Sequence, residues 1–259
     1  MIMQPRFDFD IAYSVGSACG TSVHLKNMCM RQTSGPFDWV LDDFEGNTND
    51  ILADFENYLN EEDLVYTEDW TPAEQQVEHW HYRNTRNNKL IIHDFPLGVP
   101  LHDAFPEVKE RYERRIERFR QNLATKDVLL VYFSLTYPTT DEVALEQCRK
   151  VCEMYGRKIH FLLIEHDPEC PKGVVHHKLL ADNINRYTLY AKLDNGKEDD
   201  AVRGDVKAIR KILAQYSIDG SRERRRRFRR KRFFIKLLAS IVPVKSLRHK
   251  FKAYLKENM

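Results

Sequence analysis

Cys19 lies in a glycine-flanked turn where a cysteine could act as a nucleophile. The apolar run at residues 8–15 predicts a buried strand and residues 21–30 predict a helix, so the turn between them carries Gly16, Cys19 and Gly20. Free N–H groups and the macrodipole at a helix N-terminus stabilise a thiolate, which would lower the pKa of the Cys19 thiol. The same N–H groups could hold the oxyanion formed in acyl transfer or hydrolysis. The alternative interpretation is a small buried cysteine.

A cysteine nucleophile needs a base, and His93 is the first candidate among the ten histidines. It lies near the C-terminal end of a short predicted strand, where α/β active sites gather. His166, also at a predicted strand end, is the rival. A carboxylate could orient the imidazole, and Asp38, Asp94 and Asp167 are candidates, each with a turn or capping role as the alternative. Four histidines in polar segments are expected to be solvated: His79, His81, His176 and His177.

Side chains that could bind a substrate come from this turn, from an aromatic loop and from a charged helix. The helix predicted over residues 106–124 places Arg111, Arg115 and Arg118 on one side with Arg114 adjacent, and this set could clamp a phosphate or carboxylate. The alternative is a solvated face paired with neighbouring glutamates. Trp39 is expected to line the core or a pocket, and Asp38 could be the buried partner of an arginine. The predicted substrate-binding residues are Gly16, Ser17, Gly20, Trp39, Arg114, Arg115 and Arg118.

The order of the predicted elements indicates an α/β fold. Residues 128–134 form a near-continuous apolar run, which is typical of a parallel strand buried on both faces. Strand and helix patterns alternate on either side of this run. We therefore expect a Rossmann-like, mainly parallel sheet with helices on both faces, in one domain over residues 1–218. Residues 217–221 are expected to form a linker to the C-terminal tail, residues 219–259.

The cysteine count and the hydropathy pattern indicate a cytoplasmic protein. The chain has five cysteines, an odd number, and its start lacks the pattern of a secretion signal, so reduced thiols are expected. Cys148 and Cys152 are four residues apart on a predicted helix, and two buried thiols explain them better than a metal site. We predict no cofactor and no metal. No stretch approaches the roughly 20 apolar residues that span a bilayer.

The net charge of +2 conceals a split between an acidic body and a basic tail. Residues 222–259 contain fifteen Lys or Arg against two Glu, a charge of +13, and the rest contains twenty-six against thirty-seven, a charge of −11. Residues 222–232 are dominated by arginine and residues 233–242 are mostly apolar, a pattern typical of an amphipathic helix lying on an anionic membrane surface. Nucleic acid and a partner helix are the alternatives, and the apolar run makes nucleic acid unlikely as the partner.

Four motifs in order resemble a bacterial family of papain-like cysteine peptidases, over roughly residues 8–135. They are the run at 14–19, the segment from Arg31 through the GPFDW of 35–39, the triplet at 93–95 and the helix at 114–119. The resemblance implies a nucleophile at Cys19 and a base at His93. The tail is similar to those of bacterial surface-polysaccharide enzymes. A weaker resemblance links the Cys19 turn to a capsule-biosynthesis group thought to be acyltransferases.

Three functional hypotheses follow. The first is a cysteine-dependent hydrolase or acyltransferase acting on a glycan or acyl substrate, peripheral to the inner membrane face, with Cys19 and His93 as nucleophile and base and Asp94 or Asp38 as a third residue. The second is a sugar- or phosphate-transferring enzyme that uses Arg114, Arg115 and Arg118. The third is a membrane-tethered binding module without activity. The sequence does not specify the oligomeric state.

Overall fold

The computed structural model describes residues 7–68, 79–156, 159–192 and 203–241. Its central sheet has five strands: in spatial order β2 (Ile11–Ser14), β7 (Val128–Ser134), β8 (Ile159–His166), β10 (Ile184–Leu189) and β9 (Val175–Ala181). The first four strands run parallel, and β9 pairs antiparallel with β10 at one edge. The expected alternation of strands and helices is therefore present, but this sheet is mixed.

A second sheet departs further from the expected Rossmann-like architecture. It contains β3 (Val40–Leu41), β6 (Leu90–Pro96), β5 (His79–Asn84) and β4 (Leu64–Tyr66), in that order and all antiparallel. The prediction of a single mainly parallel sheet is thus wrong for this part of the chain. The physical reason is that residues 64–68 and 79–84 are polar and aromatic, so they lack the hydrophobic periodicity by which a strand is predicted.

Helices cover both faces of the central sheet. Alternate strand residues divide the interior into two apolar clusters, one containing Leu130 and Tyr132 and the other Leu129 and Val131. The first cluster takes side chains from α2 (Phe44–Leu52), α3 (Leu101–Thr125) and α4 (Asp141–Tyr155). The second takes them from α1 (Cys19–Asn27) and α5 (Val206–Leu213). The fold is a mixed α/β architecture.

Local sequence explains several element boundaries. The Thr140 side chain accepts a hydrogen bond from the Val143 N–H and so caps α4, and Gly156 ends that helix in the left-handed region at φ 56°. Helix α3 begins at Leu101, before the Pro106 at which the helix was predicted to start. The N–H groups of Asp103 and Ala104 bond to the Pro100 carbonyl, so the first turn closes ahead of the proline.

The segment predicted as a linker is part of the folded body. β11 (Tyr216–Ile218) pairs in parallel with β1 (Phe7–Phe9), and the buried Ser221 hydroxyl accepts a hydrogen bond from the Ile218 N–H. Helix α6 (Ser221–Ile241) starts directly after this strand. Among the described residues, no helix combines the length and the hydropathy required to cross a bilayer. The last part of the predicted basic tail, residues 242–259, lies outside the described residues.

Candidate functional site

Cys19 is the first residue of α1, immediately after the turn that follows β2. The turn continues along β7, because the N–H groups of Val15 and Ser17 bond to the carbonyl oxygens of Val131 and Phe133 at 2.9 and 3.3 Å. Ala18, the N-cap residue, is fully extended and supplies no side-chain cap to the first turn of the helix. The predicted strand, turn and helix are all present, with the helix starting two residues earlier than expected.

Gly16 is required in this turn by close packing. A Cβ added to Gly16 would lie 1.8 Å from the Thr21 Oγ1 and 3.2 Å from the Phe133 carbonyl oxygen. Both distances are shorter than ordinary van der Waals contact, so any larger residue must displace the backbone of the turn or of α1. Gly16 therefore allows the turn and α1 to approach closely, and its predicted role in substrate binding stays a prediction.

The Cys19 thiol has the opposite pKa shift to the one expected from the sequence. Burial raises its pKa, and the Arg203 charge and the backbone N–H of Cys19 oppose that effect without reversing it. The expectation of a lowered pKa was wrong because the turn and its neighbours remove the thiol from water more than the start of a helix compensates. A proton therefore stays on the sulfur near neutral pH unless a base removes it.

His93 is an exposed residue in an irregular part of β6. Tyr82 pairs with Ile91 and Trp80 pairs with Phe95, so a single residue of β5 lies opposite the three residues 92–94. The His93 ring makes T-shaped contacts with the rings of Trp39 and His79, with centroid separations of 5.5 and 6.2 Å. His93 is thus exposed at an irregular point of the sheet and lies beside two aromatic rings.

The Cys19 turn and the His93 strand adjoin each other. Ala18, next to Cys19, packs against the apolar cluster of Leu41, Leu90 and Ile92, and His93 directly follows Ile92. The Asp42 N–H, at the end of β3, also bonds to the Ser17 carbonyl at 3.3 Å. The fold thus brings together two segments that are more than seventy residues apart in sequence.

Asp94 is turned toward α3. One carboxylate oxygen accepts a hydrogen bond of 2.7 Å from the Tyr112 hydroxyl, and the other lies 3.1 Å from Arg111 and 4.0 Å from Arg115. Burial, followed by the Asp94 charge, raises the pKa of Tyr112 well above its ordinary value. These contacts attach the strand that carries His93 to the long helix.

Asp38 is a buried partner of Arg31, in line with the expectation that it pairs with an arginine. Its Oδ2 lies 2.6 Å from the Arg31 guanidinium and accepts the Gly35 N–H at 3.0 Å. Burial raises the pKa of the Asp38 carboxyl, and the Arg31 charge opposes this rise. The Arg31 guanidinium also lies over the Trp39 ring, 5.6 Å from its centroid. This pair therefore supports the tryptophan that contacts His93.

The arginines of α3 do not form one group. Arg114 is exposed and pairs with Glu110 one turn earlier, which is the solvated alternative. Arg115 is largely buried beside Asp94, and its guanidinium lies 5.0 Å from the centroid of the Tyr112 ring. Arg118 donates a hydrogen bond of 3.0 Å to the Ser34 carbonyl. The contacts of Arg115 and Arg118 hold α3 to neighbouring segments.

The structure also places His166, the alternative candidate for the base, and other residues that the sequence analysis singled out. His166 accepts the Ala191 N–H at Nδ1, 3.0 Å away, and lies at the end of β8, which β7 separates from β2. The adjacent Asp167 caps a turn by accepting the Glu169 N–H at 2.9 Å. His81 is buried, contrary to the expectation of a solvated ring, and burial lowers its pKa. Within the described ranges, no three His, Cys, Asp or Glu side chains are arranged to hold a metal ion.

Sequence reasoning missed a buried charged cluster behind the turn. The Lys89 ammonium lies 2.5 Å from an Asp42 oxygen, 2.9 Å from an Asp50 oxygen and 2.9 Å from the Asn47 Oδ1. Lys89 directly precedes β6, Asp42 lies between β3 and α2, and Asn47 and Asp50 belong to α2. A lysine directly before the apolar run of residues 90–92 indicates a buried charge. The sequence does not identify its partners, because they are distant from it in the chain.

Taken together, these features define an α/β protein with a helix-opening cysteine next to a strand that bears an exposed histidine. The chain belongs to the family described as "Putative papain-like cysteine peptidase (DUF1796)", whose sequence profile matches residues 10–161. The matched region contains both Cys19 and His93, and the resemblance to this family is thereby confirmed.

Part of this chain is also similar to a viral protein. An Acanthamoeba polyphaga mimivirus protein named "Uncharacterized protein R408" is 28% identical over 120 residues, covering 41% of this chain. The match spans 53% of the viral protein, about half its length. No solved structure matches the chain. The viral relative gives no support to a specifically bacterial family, so that part of the prediction stays untested.

Proposed function

We propose that this chain is a cysteine hydrolase in which Cys19 is the nucleophile and His93 the general base. The observation that carries the proposal is the packing of the Cys19 turn, through Ala18, against the strand segment that bears His93. Membership of a family described as papain-like cysteine peptidases supports the same assignment. The raised pKa of the Cys19 thiol fits a nucleophile that is deprotonated only when a base engages it.

The reaction proceeds in two steps through a thioester. His93 takes the proton of Cys19, the sulfur attacks the substrate carbonyl carbon, and backbone N–H groups of the first turn of α1 hold the oxyanion. The leaving group departs with the proton returned by His93. Water, deprotonated by the same ring, then cleaves the thioester and regenerates the thiol. If an alcohol or amine replaces water, the enzyme is an acyltransferase, which extends the proposal to a glycan or acyl substrate.

Substitution of the two residues tests the proposal. Cys19→Ala and His93→Gln are assayed with fluorogenic peptide and thioester substrates, next to Cys29→Ser as a matched control at the other end of α1. We expect both site variants to lose at least about a hundredfold in kcat/KM, the scale of general-base catalysis, and the control to keep its rate. Unchanged hydrolysis in Cys19→Ala would overturn the assignment of Cys19 as the nucleophile.

We infer that α6 docks on an anionic membrane surface, which would make the protein peripheral. Phe233 and Phe234 are 63% and 59% exposed, although both are large apolar side chains. They follow a run of arginines on the same helix, and basic residues near an anionic leaflet contribute about 1 kcal/mol each. An exposed apolar pair next to cationic groups is typical of an interfacial helix.

Vesicle sedimentation tests the docking. The full chain is expected to sediment with vesicles containing phosphatidylserine and to stay in the supernatant with phosphatidylcholine alone. The double variant Phe233→Glu/Phe234→Glu keeps every arginine of the helix. It is expected to stay in the supernatant with both kinds of vesicle. Binding that survives this double substitution, or equal binding to a nucleic acid duplex at physiological salt, would contradict a membrane surface as the partner.

A further inference from the structure

The cluster around Lys89 is unusual for a buried group. Lys89 is 1% exposed, and its ammonium contacts two carboxylates and one amide oxygen. Burial raises the pKa of the Asp50 carboxyl, and Lys89 opposes this rise. Because removing charges from water is costly even when they are paired, a buried cluster of this kind is a weak source of stability. Stability alone therefore does not explain why these charged groups are buried together.

The cluster is bonded to the backbone of the Cys19 turn at three consecutive residues. The Asn47 amide donates to the Val15 and Gly16 carbonyl oxygens at 3.3 and 3.2 Å. The Asp42 N–H donates to the next carbonyl oxygen, that of Ser17, at 3.3 Å. Lys89 orients Asn47 by donating to the oxygen of the same amide, and it pairs with the Asp42 side chain. All three turn carbonyls thus accept from residues bound to one ammonium group.

This arrangement fixes the direction of the peptide group between Ser17 and Ala18, next to Cys19. In a trans peptide the carbonyl and the following N–H point in opposite directions. Since the Ser17 carbonyl faces Asp42, the Ala18 N–H points away from the cluster. The carbonyls of the turn and the start of α1 are therefore held in one orientation, and Cys19 follows directly.

We propose that Lys89 and Asn47 are positioning residues for Cys19, holding the turn in the geometry in which the sulfur and the first N–H groups of α1 act together. The inference rests on the proposed role of Cys19 as nucleophile. Neither residue is a catalytic group, because each acts through the backbone of residues 15–17. The Arg203 charge opposes the effect of burial on the pKa of the Cys19 thiol.

The test measures Cys19 itself and needs no substrate. Iodoacetamide labelling of the Cys19 peptide is followed by mass spectrometry across pH in the full chain. Lys89→Met removes the ammonium that orients Asn47 and pairs with Asp42, the two residues that hold the turn before Cys19. We expect the midpoint of labelling to rise by on the order of half a pH unit, which is about threefold less thiolate at a fixed pH below the midpoint. Lys89→Arg is expected to restore the wild-type midpoint.

A matched control separates positioning from loss of stability. Arg186 is likewise a buried cation paired with two carboxylates, those of Asp141 and Glu165, but it lies on β10, three strands from β2. Arg186→Met should lower the unfolding temperature and leave the Cys19 midpoint unchanged. Asn47→Ala, which retains the Lys89 ion pairs, should shift the midpoint like Lys89→Met and serves if the latter does not fold.

The outcomes are decisive in either direction. An unchanged midpoint in the folded Lys89→Met or Asn47→Ala variant would overturn the inference, as would an equal shift in Arg186→Met. The measurement is also independent of the proposed function. Loss of hydrolysis in Cys19→Ala decides whether the thiol is the nucleophile, whereas the labelling midpoint decides whether the cluster controls that thiol.

Discussion

The Asp94 carboxylate and the Tyr112 hydroxyl are joined by a hydrogen bond of 2.7 Å in the interior. This contact directs Asp94 toward α3, although the residue is adjacent in sequence to His93. The same carboxylate faces Arg111 and Arg115. These contacts attach β6 to α3, and we therefore expect Asp94 to contribute to the free energy of unfolding.

Tyr112→Phe removes the hydroxyl and leaves one Asp94 oxygen without this donor. We expect the free energy of unfolding to fall by about 1–3 kcal/mol, the cost of leaving a buried acceptor unsatisfied, while His93-dependent hydrolysis is retained. Urea unfolding measures the change. The exposed Tyr66, whose hydroxyl bonds to Glu68, is the control, and Tyr66→Phe should change stability by less than about 0.5 kcal/mol. A Tyr112→Phe variant as stable as wild type would contradict this role.

Arg31→Met leaves the buried Asp38 carboxylate without its cation. We expect a loss of about 3–5 kcal/mol, as is typical of breaking a buried pair. Burial already raises the pKa of Asp38, and removal of Arg31 raises it further. A carboxyl with a raised pKa in the folded state lowers stability as pH rises from its ordinary pKa to the raised one. The loss should therefore be larger at pH 7 than near pH 4, close to the ordinary value. The double variant Arg31→Met/Asp38→Asn should recover part of the loss, and a loss independent of pH would count against this explanation.

His24 should make the protein sensitive to acid. Its Nε2 donates to the Arg203 carbonyl at 2.8 Å, and burial lowers its pKa to about 4. The unfolded chain binds a proton near pH 6.5, so the stability that His24 contributes is complete above that pH and is lost as pH falls toward 4. The full effect is roughly 3 kcal/mol. Unfolding curves of wild type and His24→Gln should converge as the pH falls, and parallel curves would disprove the assignment.

Gly16→Ala should disturb both the fold and the thiol. The added methyl group would overlap Thr21, the third residue of α1. Overpacking of this kind costs about 1–3 kcal/mol, and displacement of α1 should also change the rate at which iodoacetamide labels Cys19. Thermal unfolding and labelling are measured together. Unaltered labelling in a destabilised variant would show that the clash is absorbed away from the cysteine.

Local patterns predicted the parts of the fold in which local rules dominate. The strand before Cys19 and the buried β7 follow from apolar runs that act within a few residues. β9 was missed because its residues are mostly exposed and stabilised by pairing with β10 rather than by a buried face.

The sequence indicated the two candidate residues but not the side chains that support them. Cys19 and His93 were identified from their positions at predicted element ends. Lys89, Asn47 and Asp42 were not identified, because they come from separate segments and meet only after the antiparallel sheet has formed. Likewise, nothing local indicates that Asp94 faces Tyr112 while its neighbour His93 is exposed.

Arg224, in the first turn of α6, donates a hydrogen bond to the carbonyl of Cys29, just beyond the last turn of α1. Cys19 occupies the opposite end of that nine-residue helix, roughly 13 Å away. If α6 rests on lipid, its first turn joins the membrane-bound helix directly to the far end of the helix that begins at the sulfur. A change in the position of α6 could then be transmitted along α1 to Cys19.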